Sequence, residues 1–116
     1  MYKQGEIVLV PVPFTDLTSH KRRPVIVITN DFYNQQTADL VVVAMTANPS
    51  ETDYSFTLTT ADLVKGQLNR PSKVRVDKVY TLSQTIVVSR FGQVREQVLE
   101  QIRSFLQELT RTKLAR

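Results

Sequence analysis

Apolar residues along most of this chain are arranged in the patterns typical of β-strands. Residues 5–10, 24–29 and 40–46 are rich in valine, isoleucine and leucine, and the last two runs are almost continuously apolar. A continuous apolar run of this length is typical of a strand buried on both faces. Residues 54–58 alternate between large apolar and hydroxyl side chains, as expected for a strand with one buried face. We predict a strand at each of these four places.

The segments between these runs are polar and carry turn or capping signals. Thr60 is placed to cap a short helix through Lys65, with Gly66 ending it. The Pro11 and Pro13 pair ends the first strand. The remaining predictions are a loop over residues 15–22, a helical turn near residues 31–34, and strands over residues 73–79 and 85–89.

The hydrophobic period changes from about residue 95 onward. Val98, Ile102, Phe105, Leu106 and Leu109 recur at steps of three and four residues. This is one face of an amphipathic helix, and it reaches about residue 110. The predicted fold is therefore mostly β: roughly six strands form a small curled barrel, and a C-terminal helix lies outside it.

Length and composition limit the classes of protein to consider. The chain has 116 residues, which predicts one domain over 1–116. It has no cysteine and one histidine, with no paired metal-ligand spacing, so we expect no metal and no cofactor. No apolar run could span a bilayer and no signal region is present, so we expect a soluble, cytoplasmic protein without a membrane partner.

The net charge is +4. This excess fits a polyanionic partner, because binding phosphates releases counterions. It fits an ordinary basic protein equally well, and the charge alone leaves both interpretations open.

Arg23 directly precedes Pro24, which favours extended backbone at the arginine. A guanidinium offers five donors in a planar fork that suits phosphate oxygens. Thr46 ends an apolar run, so its hydroxyl could donate to a phosphate from a rigid strand. Taken singly, a solvated arginine and a structural threonine remain the simpler explanations.

Lys73, Arg75 and Asp77 alternate with valines, which places three charged groups on one strand face. Either they form a solvated face with a weak ion pair, or they form a basic surface with one carboxylate for proton transfer. His20 is the natural proton carrier near neutral pH because imidazole titrates there. It lies in a polar loop, where most histidines are simply exposed.

In order, these segments resemble the MazF/PemK/Kid family of toxin endoribonucleases over about residues 4–110. The similar blocks are Gly5 to Val10, Arg23-Pro24 with the following valine and isoleucine run, the run that ends at Thr46, and Arg75-Val76-Asp77 followed by Thr81-Leu82. The resemblance implies a curled antiparallel sheet with SH3-like barrel character and a homodimer. Single-stranded RNA would bind across the dimer, and a cognate antitoxin would compete for that surface.

The resemblance also implies an activity and its residues. Family members cleave RNA without a metal, by attack of a ribose 2′-OH on the adjacent phosphate, which leaves a 2′,3′-cyclic phosphate and a 5′-OH. Arg23 and Thr46 match the family's catalytic arginine and threonine, and Arg75 and Asp77 match the Arg-x-Asp pair of the Kid/PemK branch. The general base is then Asp77 or His20. His20, Lys21, Arg22 and Lys73 are the expected RNA-binding residues.

Two segments depart from the family pattern. The loop that ends at Arg22 lacks the usual Gly-x-Glu-Gln-Gly stretch, and Pro71-Ser72 replaces a Thr-Gly pair. Two other functions stay open on the same fold. One is a CcdB-like protein that poisons DNA gyrase, and the other is a non-catalytic module that binds RNA or an antitoxin.

Overall fold

The structure, a computed structural model, describes residues 1–12, 21–47 and 53–115. Most of them form one antiparallel sheet, which is followed by a long helix. The strands are β1 (Glu6–Val12), β2 (Lys21–Val27), β3 (Asp39–Thr46), β4 (Ser55–Leu58), β5 (Leu63–Lys65), β6 (Ser72–Ser83) and β7 (Ser89–Val94), and the helices are α1 (Asp31–Gln36) and α2 (Glu96–Thr110).

The sheet has seven strands in the order β4-β6-β3-β2-β1-β7-β5. Every neighbouring pair is antiparallel. The sheet curls into a half-barrel, and α2 packs against one of its faces. The predicted fold, a curled antiparallel sheet with a C-terminal helix, is confirmed. Neither helix in the described part of the chain is long and apolar enough to cross a bilayer.

Both faces of the sheet are buried over much of their area, because the sheet curls around one core while α2 covers the other. The strands predicted to be buried on both faces are indeed so, since Val25, Ile26 and Val27 are all fully buried. The first core lies under α2 and includes Ile26, Val43, Met45, Val74, Val76, Val98, Leu99 and Ile102. The second core lies on the opposite face and consists of Val8, Val10, Val25, Val27, Leu40, Val42 and Leu82, with Tyr2, Tyr80, Ile86 and Val87 at its margin.

Helix α2 has the boundaries that the sequence predicted and most of the predicted apolar stripe, but Leu109 at its end is exposed. Val98, Leu99 and Ile102 are buried, and the ring of Phe105 stacks on Phe56 of β4 with centroids 5.7 Å apart. The polar segment after β2 contains α1, close to the predicted helical turn. Asn30 caps this helix by accepting a hydrogen bond from the backbone N–H of Tyr33.

Three of the predicted elements were wrong. Residues 60–65 do not form a helix: a single 3-10 turn (Thr60–Asp62) follows Thr59, and β5 starts at Leu63. The Thr59 and Asp62 side chains form the capping box, so the cap is one residue earlier than predicted. Gly66 does end this segment, with a φ of +93°.

The strand predicted over residues 85–89 is absent except for Ser89, the first residue of β7, because β6 continues to Ser83 and a second 3-10 turn (Gln84–Ile86) leads into β7. Gln84 holds this turn against the sheet by donating to the backbone oxygens of Asn34 and Thr37. Tertiary hydrogen bonding therefore outweighs the β propensity of this apolar stretch.

The predicted loop over residues 15–22 is wrong at its end, because Lys21 and Arg22 belong to β2 and pair with Val12 and Pro11. Strand β1 likewise continues through Pro11. The rest of the predicted loop, including His20, lies outside the described residues.

Strand β6 carries a bulge of three residues. Val43 of β3 pairs with Val79, and the next residue, Ala44, pairs with Arg75. Residues 76–78 therefore have no partner in β3 at this point. A bulge adds twist and re-aims side chains locally, and this one lies beside the charged residues of the predicted site.

Candidate functional site

The predicted site residues come together at one end of the sheet face that carries the second core. Across antiparallel strands, paired residues project to the same face. Thr46 of β3 pairs with Lys73 of β6, and Ala44 pairs with both Val25 of β2 and Arg75 of β6. Thr46, Ala44, Lys73 and Arg75 therefore project from the same face of the sheet as Val25.

Arg23 belongs to the same face and the same end of the sheet. It lies two residues before Val25, whereas Thr46 lies two residues after Ala44 on the neighbouring antiparallel strand. β2 and β3 pair over Val25–Val27 and Val42–Ala44, so Pro24, which has no N–H, lies just past this ladder. The arginine is exposed and the threonine half-buried. The end of the ladder thus presents a guanidinium and a hydroxyl on adjacent strands.

Arg75 and Asp77 form a two-point ion pair within β6, which is one of the two interpretations that the sequence left open. The Arg75 Nε donates to Oδ1 of Asp77 at 2.9 Å, and Nη2 donates to Oδ2 at 2.8 Å. Two of the five guanidinium N–H groups are used in this way, which leaves three for another ligand. The two side chains retain 25% and 30% of their exposed surface, so the pair can be reached from solvent.

This ion pair fixes the charge state of both groups. Hydrogen bonding from Arg75 lowers the pKa of Asp77 below its ordinary value of 3.8, and hydrogen bonding to Asp77 raises the pKa of Arg75. Asp77 is therefore ionised and Arg75 protonated throughout the neutral range. The carboxylate is a weaker base than an unpaired aspartate, but it is always available in its basic form.

Of the three expected RNA-binding residues that are described, two face the site. Lys73 lies beside Thr46, and Lys21 alternates with Arg23 and Val25, so it projects to the same side of β2. Arg22 alternates to the other side, and its guanidinium donates to the carbonyl of Lys21 at 3.4 Å. His20 lies outside the described residues.

The sequence analysis gave no role to two hydroxyl residues on this face. Ser55 and Thr57 of β4 pair with Arg75 and Lys73, so they extend the polar face to the edge of the sheet. Neighbouring strands lie about 4.8 Å apart, and four strands from β2 to β4 therefore span roughly 14 Å. The sequence did contain a signal for their position, because Ser55 and Thr57 alternate with Phe56 and Leu58. Residues that alternate with core residues along a strand lie on the face away from that core.

The side chains of this face are donors rather than metal ligands. Within the described ranges, no three histidine, cysteine, aspartate or glutamate side chains come close enough together to hold a metal ion. Among the described residues, this face carries four cationic side chains and three serine or threonine hydroxyl groups around the Asp77 carboxylate. This arrangement can bind and polarise a phosphate and can offer a carboxylate as a proton acceptor.

A curled antiparallel sheet with a basic, hydroxyl-bearing face at one end defines a small β-sheet protein with a surface suited to phosphate groups. The family model for the PemK-like, MazF-like toxin of type II toxin-antitoxin systems matches residues 3–110. The chain therefore belongs to this family, and the resemblance found in the sequence is confirmed. No curated protein sequence matches the chain.

Solved structures of this fold are similar to the chain over most of its length. One is MazF in a MazE–MazF crystal structure from Deinococcus radiodurans (TM-score 0.74, 18% identity, 97% of each chain covered). Another is an endoribonuclease in complex with its cognate antitoxin from a mycobacterial species (TM-score 0.70, 17% identity, 93% of each chain). A third is the Mycobacterium tuberculosis toxin MazF-mt6 (TM-score 0.70, 18% identity, 89% of this chain and 93% of the other). At these identities the likeness establishes the fold.

Proposed function

We propose that the chain, as a single toxin domain over residues 1–116, is an endoribonuclease that cleaves single-stranded RNA at preferred sequences without a metal. The observation that carries this proposal is the gathering of Arg23, Thr46, Lys73 and Arg75 at one end of one sheet face. Membership of the PemK/MazF toxin family and similarity to structures described as endoribonucleases support it.

In the proposed reaction, the 2′-oxygen of a ribose attacks the adjacent phosphorus and the bond to the 5′-oxygen of the next nucleotide breaks. The products are a 2′,3′-cyclic phosphate and a 5′-OH. Negative charge grows on the non-bridging oxygens as the fifth bond forms. Arg23 and Arg75 stabilise that charge, and Thr46 adds a neutral hydrogen bond. A charged donor fixed in advance, as Arg75 is by Asp77, is among the larger contributions to catalysis.

Asp77 is the proposed acceptor of the 2′-OH proton. Its low pKa makes it a weak base, but its carboxylate is held in place by two hydrogen bonds from Arg75. Fixed geometry compensates for low basicity, because a positioned base avoids the entropy cost of encounter. His20 is the alternative base. Lys21 and Lys73 are proposed to hold the RNA backbone, whereas Arg22 projects from the other side of β2 and is left out of this contact.

The proposed partners follow from the family. We expect a cytoplasmic homodimer that binds RNA across the dimer and is inhibited by a cognate antitoxin. Similar structures hold MazF together with MazE or an endoribonuclease together with its antitoxin. Val79, Val88 and Phe91 each expose at least 40% of their surface, which supports burial of apolar area in an assembly.

The test is digestion of single-stranded RNA by purified protein in excess EDTA, with sequencing of the new ends. Cleavage at a short preferred sequence with 5′-OH ends is the expected result. Loss of cleavage in EDTA would contradict the metal-free mechanism. RNA binding without cleavage would instead favour a non-catalytic module, and DNA breaks that depend on gyrase would favour a CcdB-like poison.

A further inference from the structure

Tyr80 projects from the same face of the sheet as Arg75 and Thr46, and regular strand alternation does not explain this position. It is five residues after Arg75 in the same strand, so regular alternation would put the two side chains on opposite faces. Because of the bulge at residues 76–78, Arg75 pairs with Ala44 while Tyr80 pairs with Val42. Ala44 and Val42 are two residues apart and share one face. The bulge therefore brings the tyrosine to the side of the arginine.

Along β3, the pairs Val42–Tyr80, Ala44–Arg75 and Thr46–Lys73 follow one another at two-residue steps. A two-residue step is roughly 7 Å, so the β3 partners of Tyr80, Arg75 and Lys73 follow one another at about this interval. Successive phosphates of extended RNA are separated by a comparable distance. The tyrosine occupies the end of this row at which the polar face meets the second core.

Tyr80 is held in place by packing against the second core. The residue is half-buried and packs at the margin of the second core, next to Val42. On β3, the partner of Tyr80 lies two residues from the partner of Arg75, so the two residues are neighbours on this face. An aromatic ring anchored by a core and placed beside a cation is how proteins present a surface for a nucleobase, since bases splayed out of single strands stack on aromatic side chains.

We propose that Tyr80 is the stacking residue for one nucleobase next to the scissile phosphate, held beside Arg75 by the β6 bulge. This inference rests on the proposed ribonuclease function and deepens it, because it names the residue that receives a base. The phosphate lies on Arg75 and Arg23, and the neighbouring base turns toward the second core and covers the ring. Tyr80 thereby selects how the RNA strand is seated and does not touch the reacting atoms.

The experiment measures RNA binding by Tyr80→Leu and Tyr80→Phe. The probe is a single-stranded RNA that spans a mapped cut site, with a 2′-deoxynucleotide at the cut so that cleavage is blocked. Stacking on an aromatic residue contributes about 5- to 150-fold in affinity per base, so we expect Tyr80→Leu to weaken binding within this range. Tyr80→Phe keeps the ring and should bind close to wild type.

A second set of probes places an abasic nucleotide at each position around the cut. At one position the abasic probe should bind wild type and Tyr80→Leu equally, because no base remains to stack; at the others the difference should persist. Equal binding by Tyr80→Leu and wild type on the intact probe would overturn the inference. A loss in Tyr80→Phe as large as in Tyr80→Leu, or a difference that survives at every abasic position, would also overturn it.

Tyr2→Leu is the matched control, because Tyr2 lies at the margin of the same core but stacks under Arg90, 4.4 Å from its guanidinium carbon. It should lose comparable packing and keep RNA affinity. If Tyr80→Leu fails to fold in a thermal unfolding measurement, Tyr80→Phe and the wild-type abasic series still decide. A wild-type protein that neither binds nor cuts any RNA would contradict the proposed function itself. A protein that cuts RNA equally well with and without Tyr80 would contradict only the role of Tyr80.

Discussion

At the scale of single residues, Arg23 and Arg75 reach the same face in different ways. Arg23 is exposed on β2, next to a proline and just past the end of a ladder. Arg75 is fixed by two hydrogen bonds to Asp77. A fixed guanidinium loses little rotamer entropy on binding a phosphate, whereas an exposed one loses more. In the proposed reaction, Arg75 would thus provide a preformed contact with the phosphate, and Arg23 would become ordered as it binds.

Replacing Arg23 with alanine should reduce RNA cleavage by at least about 100-fold, because it removes a charged donor from the transition state. The substitution is at an exposed position, so the temperature of unfolding should change little. Gel-based cleavage rates measure the first effect and calorimetry the second. Arg103→Ala on α2, across the sheet, is the control and should cut like wild type. An Arg23→Ala protein with near-normal activity would disprove the assigned role.

The pH dependence of cleavage distinguishes the two candidate bases. Because Arg75 lowers the pKa of Asp77, the carboxylate is in its basic form throughout the neutral range, and kcat/KM should be flat between about pH 5.5 and 8. Asp77→Asn should lower kcat by about 100-fold or more. A rate that rises through about pH 6.5 and disappears in His20→Ala would assign the base to His20 instead.

The same ion pair makes a small contribution to stability, and its sign follows from the direction of the pKa shift. A lowered pKa in the folded state stabilises the protein at pH values above the ordinary value of 3.8, and this contribution is lost as the pH falls through the lowered pKa. Asp77→Asn should therefore cost roughly 0–1 kcal/mol at pH 7, since the pair is partly exposed. The difference from wild type should vanish in strong acid.

At the scale of elements, α2 and the sheet stabilise each other through one stripe of apolar side chains. Ile102 is 1% exposed and lies in the core beneath the helix. Charged side chains occupy the outer side, where Arg103 pairs with Glu96. The helix therefore contributes through packing and not through its propensity alone.

Ile102→Ala should lower the free energy of unfolding by about 2–5 kcal/mol, because it removes a buried side chain and leaves a cavity. Urea denaturation followed by circular dichroism measures the change. Gln101→Ala, at an exposed position on the same turn, should remain within about 0.5 kcal/mol of wild type. If the two variants were equally stable, α2 would not be packed as described.

The helices and strands also show which structural features a local sequence pattern predicts and which it does not. The strands around Val25 and Val42 and the helix around Ile102 were predicted correctly because burial imposes a clear period on them. Residues 60–65 and 85–89 were assigned wrongly because their backbones are fixed by distant partners, such as the carbonyl oxygens that bind Gln84. A local pattern contains no information about such partners.

At the scale of the whole molecule, charge is concentrated where the reaction is proposed to occur. The chain has a net charge of +4, and Lys21, Arg23, Lys73 and Arg75 share one face of the sheet, with Asp77 the carboxylate paired among them. Affinity for single-stranded RNA should therefore fall with salt, by about 0.7 in log–log slope for each phosphate neutralised. This is an electrostatic term that does not depend on base sequence.

Lys73→Met should reduce that slope by about 0.7, because one phosphate contact is lost. Fluorescence anisotropy of labelled RNA over a series of salt concentrations measures it. The control is Arg103→Met, which removes one positive charge from the far side of α2 and should leave the slope unchanged. A slope equally reduced in both variants would show that net charge, and not this face, controls binding.

The sequence by itself determined most of the strands and the C-terminal helix, because burial and backbone propensity leave a period in the chain, and its motifs indicated the family. It also placed Arg75 and Asp77 on one face through their two-residue spacing. Only the tertiary structure decided that Arg23 and Thr46 lie on adjacent strands, that Ser55 and Thr57 extend the site, and that a bulge turns Tyr80 toward Arg75. These features depend on which strands pair and in what register, and register is set by contacts between residues far apart in the chain.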